Sequence, residues 1–379
     1  MPERPPGRPL RVAHLTTVDM SLALLLATEL RVDVEAGFEV LGISAPGPYV
    51  PEVEALGVTH VPVPAFTRAW SPVGDARAAW QLWGLLRRLR PDVLHTHTPK
   101  AGILGRILGR AARVPVVVDT CHGLWLREGD GRTRRAVVLA VEGVASLFSH
   151  FELYQNADDR RALRRFVPDR RARVVGNGVD LDRFRFDPDA RRSFRAELGV
   201  GPDEVLVGGV GRVVAEKGIE ELGAAAAALA GRARFVWVGP ADVGDGPRPG
   251  SLTFLGARAD MVPVYSALDV FVLPSHREGF SRSAMEAAAC GRAMVLSDIR
   301  GCREIGEHDV HLLLVPRRDP GALTAALDRL VSDADCRARL GAAARARAAL
   351  AFDQRRVADA SIEAYRTVAR RRRLGWPER

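Results

Sequence analysis

The sequence predicts an α/β protein built from two doubly wound, parallel-sheet domains. Three observations carry that prediction. Short apolar, β-branched runs alternate with longer amphipathic stretches, the pattern of strands joined by crossover helices. The pattern restarts past the middle of the chain. At 379 residues the chain is longer than a domain of roughly 100–200 residues, so two domains suit it best.

In the first half, strands are expected at Arg11–Leu15, Phe38–Ser44, Val58–Val63, Asp92–His97, Pro115–Cys121, Phe151–Gln155 and Arg173–Gly176. Between them, helices are expected at Ser21–Ala36, Gly74–Arg90, Ala101–Arg113 and Arg134–Ser149. The second half repeats the alternation. Its strands are expected at Val205–Val210, Arg234–Val238, Leu252–Phe254, Val270–Leu273, Ala293–Ser297 and His311–Val315, and its helices at Lys217–Ala230, Ser283–Cys290 and Gly321–Val331. So many strands exceed what one such sheet usually holds, which favours two sheets. The segment Asn177–Arg195 has turn residues and no clear period, so the break is placed there. The expected domains are residues 1–178 and 179–350, followed by a helix and basic tail over 351–379. The Ala- and Arg-rich stretch Ala334–Arg372 reads as helix, and Gly201–Pro202 and Gly244–Gly250 as surface loops.

Composition excludes several classes. Apolar residues make up 47% and charged residues 27%, enough for packed cores and unlike a disordered chain. No apolar run approaches the roughly 18–20 residues needed to span a bilayer; Ala136–Phe148 carries Glu142 at its centre. Met1–Pro9 is polar and proline-rich, unlike a secretory signal. Cys121, Cys290, Cys302 and Cys336 show no C-x-x-C and no zinc-like spacing, so a reduced, cytoplasmic setting is expected.

The formal net charge is +9. Arg160–Arg173 holds seven arginines against one aspartate, and Ser361–Arg379 six against two glutamates. Such segments suit an anionic partner such as a membrane surface, or are simply a solvated face. Nucleic acid is not an expected partner, because no zinc finger, aromatic RNP stretch or reading helix accompanies the charge. Only Lys100 and Lys217 are lysines; in an arginine-biased chain this hints that a compact ammonium is wanted there.

Two constellations can carry chemistry. Gly208-Gly209-Val210-Gly211-Arg212-Val213-Val214-Ala215-Glu216-Lys217-Gly218 follows an expected strand and opens a helix. Glycines allow close backbone approach, a helix N-terminus favours anions, and Arg212 and Lys217 add two cations, which suits a diphosphate. A tight βα turn also uses glycine for structural reasons alone, and the spacing is not that of an NTPase phosphate loop. The second is Arg277-Glu278-Gly279-Phe280-Ser281-Arg282-Ser283-Ala284-Met285-Glu286. With a helix starting near Ser281, Glu278 lies in the preceding loop, Glu286 in the first turns, and unpaired amides lie between them. Glu286 then either accepts from sugar hydroxyls or closes a capping box with Ser283.

From Glu278 to Glu286 the sequence matches the E-x(7)-E signature of the retaining glycosyltransferases of family four, which have the GT-B fold. The resemblance covers most of the chain and is strongest from Gly176 to Pro316. Asn177–Phe184 resembles the family's segment before the second domain, Gly211–Gly218 its diphosphate-binding turn, and Asp298–Glu304 a loop beside the donor. Thr16–Asp19, His95–Lys100 and His122–Leu124 resemble bacterial exopolysaccharide-type members. Thr16–Ser21 departs from the family where many members carry a Gly-Gly turn. Val310–Pro316 departs where members often carry Asn-Gly-Leu-Leu-Val-Pro, and no role is assigned to His311.

The resemblance implies two Rossmann-like domains facing across a cleft, with a C-terminal helix returning to the first. It implies transfer of a sugar, with retained configuration, from a nucleotide-diphosphate donor to a glycan or lipid-linked acceptor, in bacterial surface polysaccharide or glycolipid synthesis. No cofactor or divalent metal is expected at the chemistry, so cations and amides must stabilise the leaving diphosphate. Arg212 and Lys217 are the candidate cations. Glu278 is expected to hold the donor sugar, Glu286 the ribose, and Gly211, Gly279, Phe280, Ser281, Arg282 and Ser283 to line the donor site. His122 matches the family's active-site histidine, against the alternative of a buried, satisfied histidine. His95 and His97 rank lower, as structural or acceptor-side. Rival readings are a GT-B nucleotide-sugar epimerase, an inverting transferase, or a non-catalytic nucleotide-sugar binder.

Overall fold

The structure, a computed structural model, describes residues 8–126, 130–241 and 246–376. Gly244 of the expected Gly244–Gly250 loop and the last residues of the basic tail lie outside them. The chain forms two compact units. One runs to Gly176 and is joined by the chain from Gln354 onward; the other is Asn177–Asp353.

The first unit is a seven-stranded parallel sheet. Its strands are β1 (Arg11–Val18), β2 (Glu39–Ala45), β3 (Thr59–Pro62), β4 (Val93–Thr96), β5 (Val116–Cys121), β6 (Phe151–Tyr154) and β7 (Ala172–Val174). They lie in the order β3-β2-β1-β4-β5-β6-β7. The chain winds one way from β1 to β3 and the other way from β4, so the switch point lies between β1 and β4, which pair with His14 opposite His95. Central strands are buried almost throughout, as expected of a sheet covered on both faces. The helix Gln354–Arg371 closes one face: Ala358, Ile362, Tyr365 and Val368 pack with Val12, Val93, Val116 and Phe151.

The second unit repeats the plan with six strands: β8 (Leu206–Val210), β9 (Arg234–Val238), β10 (Thr253–Phe254), β11 (Val270–Leu273), β12 (Ala293–Ser297) and β13 (Leu313–Val315). Their order is β10-β9-β8-β11-β12-β13, with the switch point between β8 and β11. The four cysteines are free thiols.

The structure departs from the sequence reading in several places. The expected helix Ser21–Ala36 is divided into a π-helical turn, Ser21–Leu25, and the helix Ala27–Glu35. Asn177–Arg195 is not all irregular: Asp187 caps a helix, Pro188–Glu197, by accepting from the amides of Asp189 and Ala190. That helix buries only a narrow face, including Phe194, so its apolar period is faint. The stretch Ala334–Arg372 is two helices, Ala334–Ala351 and Gln354–Arg371. The break falls at Phe352, whose carbonyl accepts from the Val179 amide at 2.8 Å and whose ring meets Phe280 edge-on at 5.9 Å. Tertiary partners interrupt a run that helix propensity alone would continue. The first strand also runs on to Val18, so the Thr16–Asp19 segment is mostly strand.

Candidate functional site

In open parallel sheets, ligands bind beyond the carboxyl ends of the strands at the switch point. In the second unit, β8 leads into Gly211, Arg212 and Lys217, and β11 leads into Glu278. These are neighbouring strands, so residues 61 apart meet: the Lys217 ammonium donates to Glu278 Oε1 at 2.5 Å. Both side chains are mostly buried, at 20% and 12% exposure, so this pair is less screened than a surface ion pair.

Local structure holds the two turns together. The His276 amide donates to the Glu216 carbonyl at 2.8 Å, and Arg277 Nε donates to the Glu216 carboxylate at 3.0 Å. Gly218 follows Lys217 in the left-handed region (φ 71°) and starts the helix Ile219–Ala228. A Cβ on Gly218 would stand 2.1 Å from the Pro274 carbonyl oxygen, so only glycine allows this turn to lie against the end of β11. Gly211 donates to the Val238 carbonyl and accepts from Trp237 Nε1 at 2.8 Å, and the Lys217 stem passes over it. Arg212 follows directly and is exposed.

The helix bearing the second carboxylate is Arg282–Ala289, so Glu278 lies in the loop before it as expected. The capping-box alternative is not what forms. Ser281, not Ser283, is the N-cap and accepts from the Ala284 amide. Glu286 instead turns inward, accepting from the Tyr265 hydroxyl at 2.7 Å and from Arg282 Nε at 3.1 Å. Burial raises the Glu286 pKa, against the pull of Arg282 and Tyr265. The Phe280 ring packs edge-on against Phe352. Gly279 and Ser283 flank it; Ser283 Oγ lies 3.4 Å from Ser281 Oγ. The segment Asp298–Glu304 contains a short helix, Arg300–Arg303, seated on this loop. A Cβ on Gly301 would meet the Glu278 carbonyl oxygen at 2.6 Å.

The sequence candidates Gly211, Lys217, Glu278 and Glu286 gather at these two strand ends, and Gly301 belongs to the Asp298–Glu304 segment that the sequence also marks; Tyr265 is not among the sequence candidates. Tyr265 sits on a separate helix, Val262–Ala267, and no local spacing joins it to Glu286.

In the first unit His122 follows β5, and it is half-buried. It is joined to other histidines. His122 Nε2 lies 3.1 Å from His97 Nδ1, and His97 Nε2 lies 3.0 Å from His14 Nδ1. His14 Nε2 meets Asp33 Oδ2 at 2.8 Å. His95 bonds Tyr365 Oη and Thr120 Oγ1, each at 2.7 Å. Burial pushes the His122 pKa down to about 4 and His97 well below its usual range. Among the described residues, His14, Glu29, His95 and His97 bring one ligand atom each within 4.8 Å of one another, the geometry of a metal cluster. Their ring nitrogens are all engaged by the hydrogen bonds above, so they are read as a polar network. Lys100 is also tied down: its ammonium meets Asp75 Oδ1 at 2.6 Å and lies 5.1 Å from the Trp70 ring centre.

Comparison with known proteins identifies the family. Residues 21–178 match the family described as glycosyl transferase 4-like domain, and residues 204–333 that of glycosyl transferases group 1. A D-inositol 3-phosphate glycosyltransferase of Xylanimonas cellulosilytica is 31% identical over 373 residues, 90% of this chain and 84% of the relative. An N,N'-diacetylbacillosaminyl-diphospho-undecaprenol alpha-1,3-N-acetylgalactosaminyltransferase of Campylobacter jejuni is 26% identical over 345 residues, 86% of this chain and 90% of the relative. Among solved structures, Anabaena HepE in complex with UDP superposes with a TM-score of 0.79 at 21% identity, covering 95% of this chain and 100% of that one. The chain belongs to the family-four glycosyltransferases and has the GT-B fold. It is a glycosyltransferase enzyme.

Proposed function

We propose that this enzyme transfers a sugar, with retention and without a divalent metal, from a nucleotide-diphosphate sugar to a lipid-linked or other glycan acceptor. The observation that carries the reading is the Lys217–Glu278 pair at the switch point of the second sheet. A diphosphate leaving group develops negative charge as its bond to the sugar breaks, and fixed donors in a partly dehydrated site stabilise it without reorganising. Lys217, Arg212 and the amides from Gly279 to Ser283 supply such donors. Glu278 would hold sugar hydroxyls beside them, and Glu286 the ribose. His122 of the first unit is carried into the proposal as a site residue.

The names of the relatives support the substrate class. One is a transferase to a diphospho-undecaprenol-linked sugar, another is a galactosyltransferase to an acceptor of the same kind, and one similar fold was solved with UDP-glucose. A lipid-linked acceptor accords with work at the inner face of a membrane in surface polysaccharide or glycolipid synthesis. No helix among the described residues is long and apolar enough to cross a membrane. Exposed Arg164 and Arg165 directly precede exposed Phe166, which packs over Gly143 beside exposed Val144 and Leu147. Cations around exposed apolar side chains suit an anionic lipid surface.

A thermal-shift panel of nucleotide sugars, followed by a transfer assay with and without chelator, tests the reading. One nucleotide sugar should stabilise the fold by mass action, and turnover should survive chelation. Stabilisation by none, or loss of transfer with chelator, overturns it.

A further inference from the structure

The polar network of the first unit has a direction. Gln155, His122, His97 and His14 come from β6, β5, β4 and β1 or the residue or two beyond each strand, and those strands are consecutive neighbours in the sheet. The four side chains therefore form a line across the sheet, from Gln155, His122 and His97 at strand ends to His14 within β1, finishing at Asp33 on the helix Ala27–Glu35. Gln155 Nε2 lies 2.7 Å from His122 Nδ1. An amide nitrogen can only donate, so His122 Nδ1 accepts and its Nε2 carries the hydrogen. His122 Nε2–H then donates to His97 Nδ1, His97 Nε2–H to His14 Nδ1, and His14 Nε2–H to Asp33. The far end gives the same direction, because an ionised Asp33 can only accept. Asp33 is fully buried, and among the described residues its Oδ1 has no hydrogen-bond partner, so His14 is the contact on which its charge rests.

We propose that Asp33, acting through His14 and His97, holds His122 as a neutral imidazole with Nδ1 unprotonated, so that toward a substrate hydroxyl His122 is a hydrogen-bond acceptor. His97, His14 and Asp33 are then positioning residues. A hydroxyl that displaces the Gln155 amide meets an acceptor nitrogen already fixed in plane, with no tautomer change to make on binding. The substrate clause rests on the transferase reading above; the tautomer clause does not.

The surrounding charges fit. His14 is raised: burial opposes its charged form, but the hydrogen bond and charge of Asp33, with Glu29, outweigh it. Burial and the neighbouring imidazoles hold His97 neutral. Burial raises Asp33 as well; an extra proton on its unpartnered Oδ1 leaves the direction of the line unchanged, whereas one on His14 Nδ1 would reverse it. The other groups facing the line are Glu29, His95, Thr120 and Tyr365.

Nitrogen-15 NMR of the histidine-labelled full chain near neutral pH tests this. His122, His97 and His14 are each expected to carry the hydrogen on Nε2. Finding His122 protonated on Nδ1, or averaging between tautomers, overturns the proposal without any variant. Asp33→Leu removes the terminal acceptor and is expected to mix the His122 tautomers and lower kcat by about 10-fold or more, with donor KM little changed. Asp33→Asn, whose side-chain oxygen still accepts, is expected to restore the wild-type pattern and most of the turnover. A wild-type tautomer and turnover in Asp33→Leu overturns the relay. If the wild type shows the expected tautomers but transfers no sugar, the relay stands and the transferase reading fails.

Discussion

Lys217 and Glu278 stand 2.5 Å apart although 61 residues separate them. The contact exists because β8 and β11 are neighbours in the sheet, each delivering one turn to the same carboxyl edge. In the proposed reaction the pair would put a cation for the leaving diphosphate directly beside a carboxylate for sugar hydroxyls. It also orients both side chains before any ligand arrives. Such preorganisation matters because a charge-stabilising group that must first be positioned spends part of its effect on that ordering.

Replacing Glu278 tests the pair most directly. Glu278→Gln keeps the shape but removes the charge, and kcat should fall by about 100-fold or more, with nucleotide-sugar binding retained. Turnover assays beside thermal shift decide it. Near-wild-type kcat would remove Glu278 from the chemistry.

Tyr265→Phe leaves Glu286 without its 2.7 Å donor. Loss of one buried hydrogen bond to a carboxylate costs about 1.5–3 kcal/mol. If Glu286 also binds the ribose, donor KM should rise by about 5-fold or more while kcat moves less. A lower Tm with unchanged KM would confine Glu286 to a structural role.

Gly218→Ala should be destabilising out of proportion to its size. A left-handed alanine costs about 1–2 kcal/mol, and the new methyl would overlap the Pro274 carbonyl. The lysine-bearing turn must move away from the end of β11, so transfer activity should fall with stability. Calorimetry and kinetics that both match wild type would contradict the close approach.

Arg106 is 1% exposed and meets Glu142 at 2.5 Å, Glu152 at 3.0 Å and Asp119 at 3.7 Å. Arg106→Met strands three buried carboxylates, and breaking a buried ion network costs about 3–5 kcal/mol. The first unit should melt markedly earlier; denaturant unfolding with an unchanged midpoint would refute this.

Stability should fall on mild acidification. Burial holds His122 down to about 4. Burial, with Arg372, Arg110 and Arg171, holds His150 down to about 3, and His97 is also held low. These groups stay neutral when folded but bind protons when unfolded, from about pH 6.5 downward. Their stabilisation is complete above that pH and is lost as pH falls toward about 4. His14, which is raised, acts in the opposite sense: its contribution is present at low pH and lost as pH rises. His60 and His311, also held down by burial, add to the loss, whereas Asp33, Asp119 and Glu286, which burial raises, act with His14; five depressed histidines against four raised groups predict a net loss. Calorimetry at pH 7.5, 6.5, 5.5 and 4.5 should show a falling Tm; a flat profile would overturn the assignment.

Much of the site is legible in the order of residues. Gly211, Lys217, Glu278 and Glu286 stand in motifs whose residue types state their chemistry, because glycine-rich turns and helix N-termini are local devices. A local reading fails where a group takes its partner from elsewhere. Ser283 and Glu286 have capping-box spacing, yet Ser281 caps the helix and Tyr265 takes Glu286. Spacing along one helix cannot say which hydroxyl a second helix will bring. His95 and His97 read only as structural or acceptor-side for the same reason. Their meaning depends on His14, His122, Asp33 and Gln155, which lie far away in sequence.

Residue pattern alone determined the alternation of strand and helix, the two-sheet α/β class and the motifs at the ends of β8 and β11. These follow from side-chain periodicity, backbone freedom at glycine and helix-end dipoles, all of which act over a few residues. Only the tertiary structure decided the strand order, and the order decides which strand ends become neighbours. That adjacency made Lys217 meet Glu278 and aligned Gln155, His122, His97 and His14 with Asp33; contacts with Val179 and Phe280 stopped a long helix at Phe352. The physical reason is that parallel strands are joined through crossovers, so contacts across the sheet link residues whose separation in the chain carries no signal.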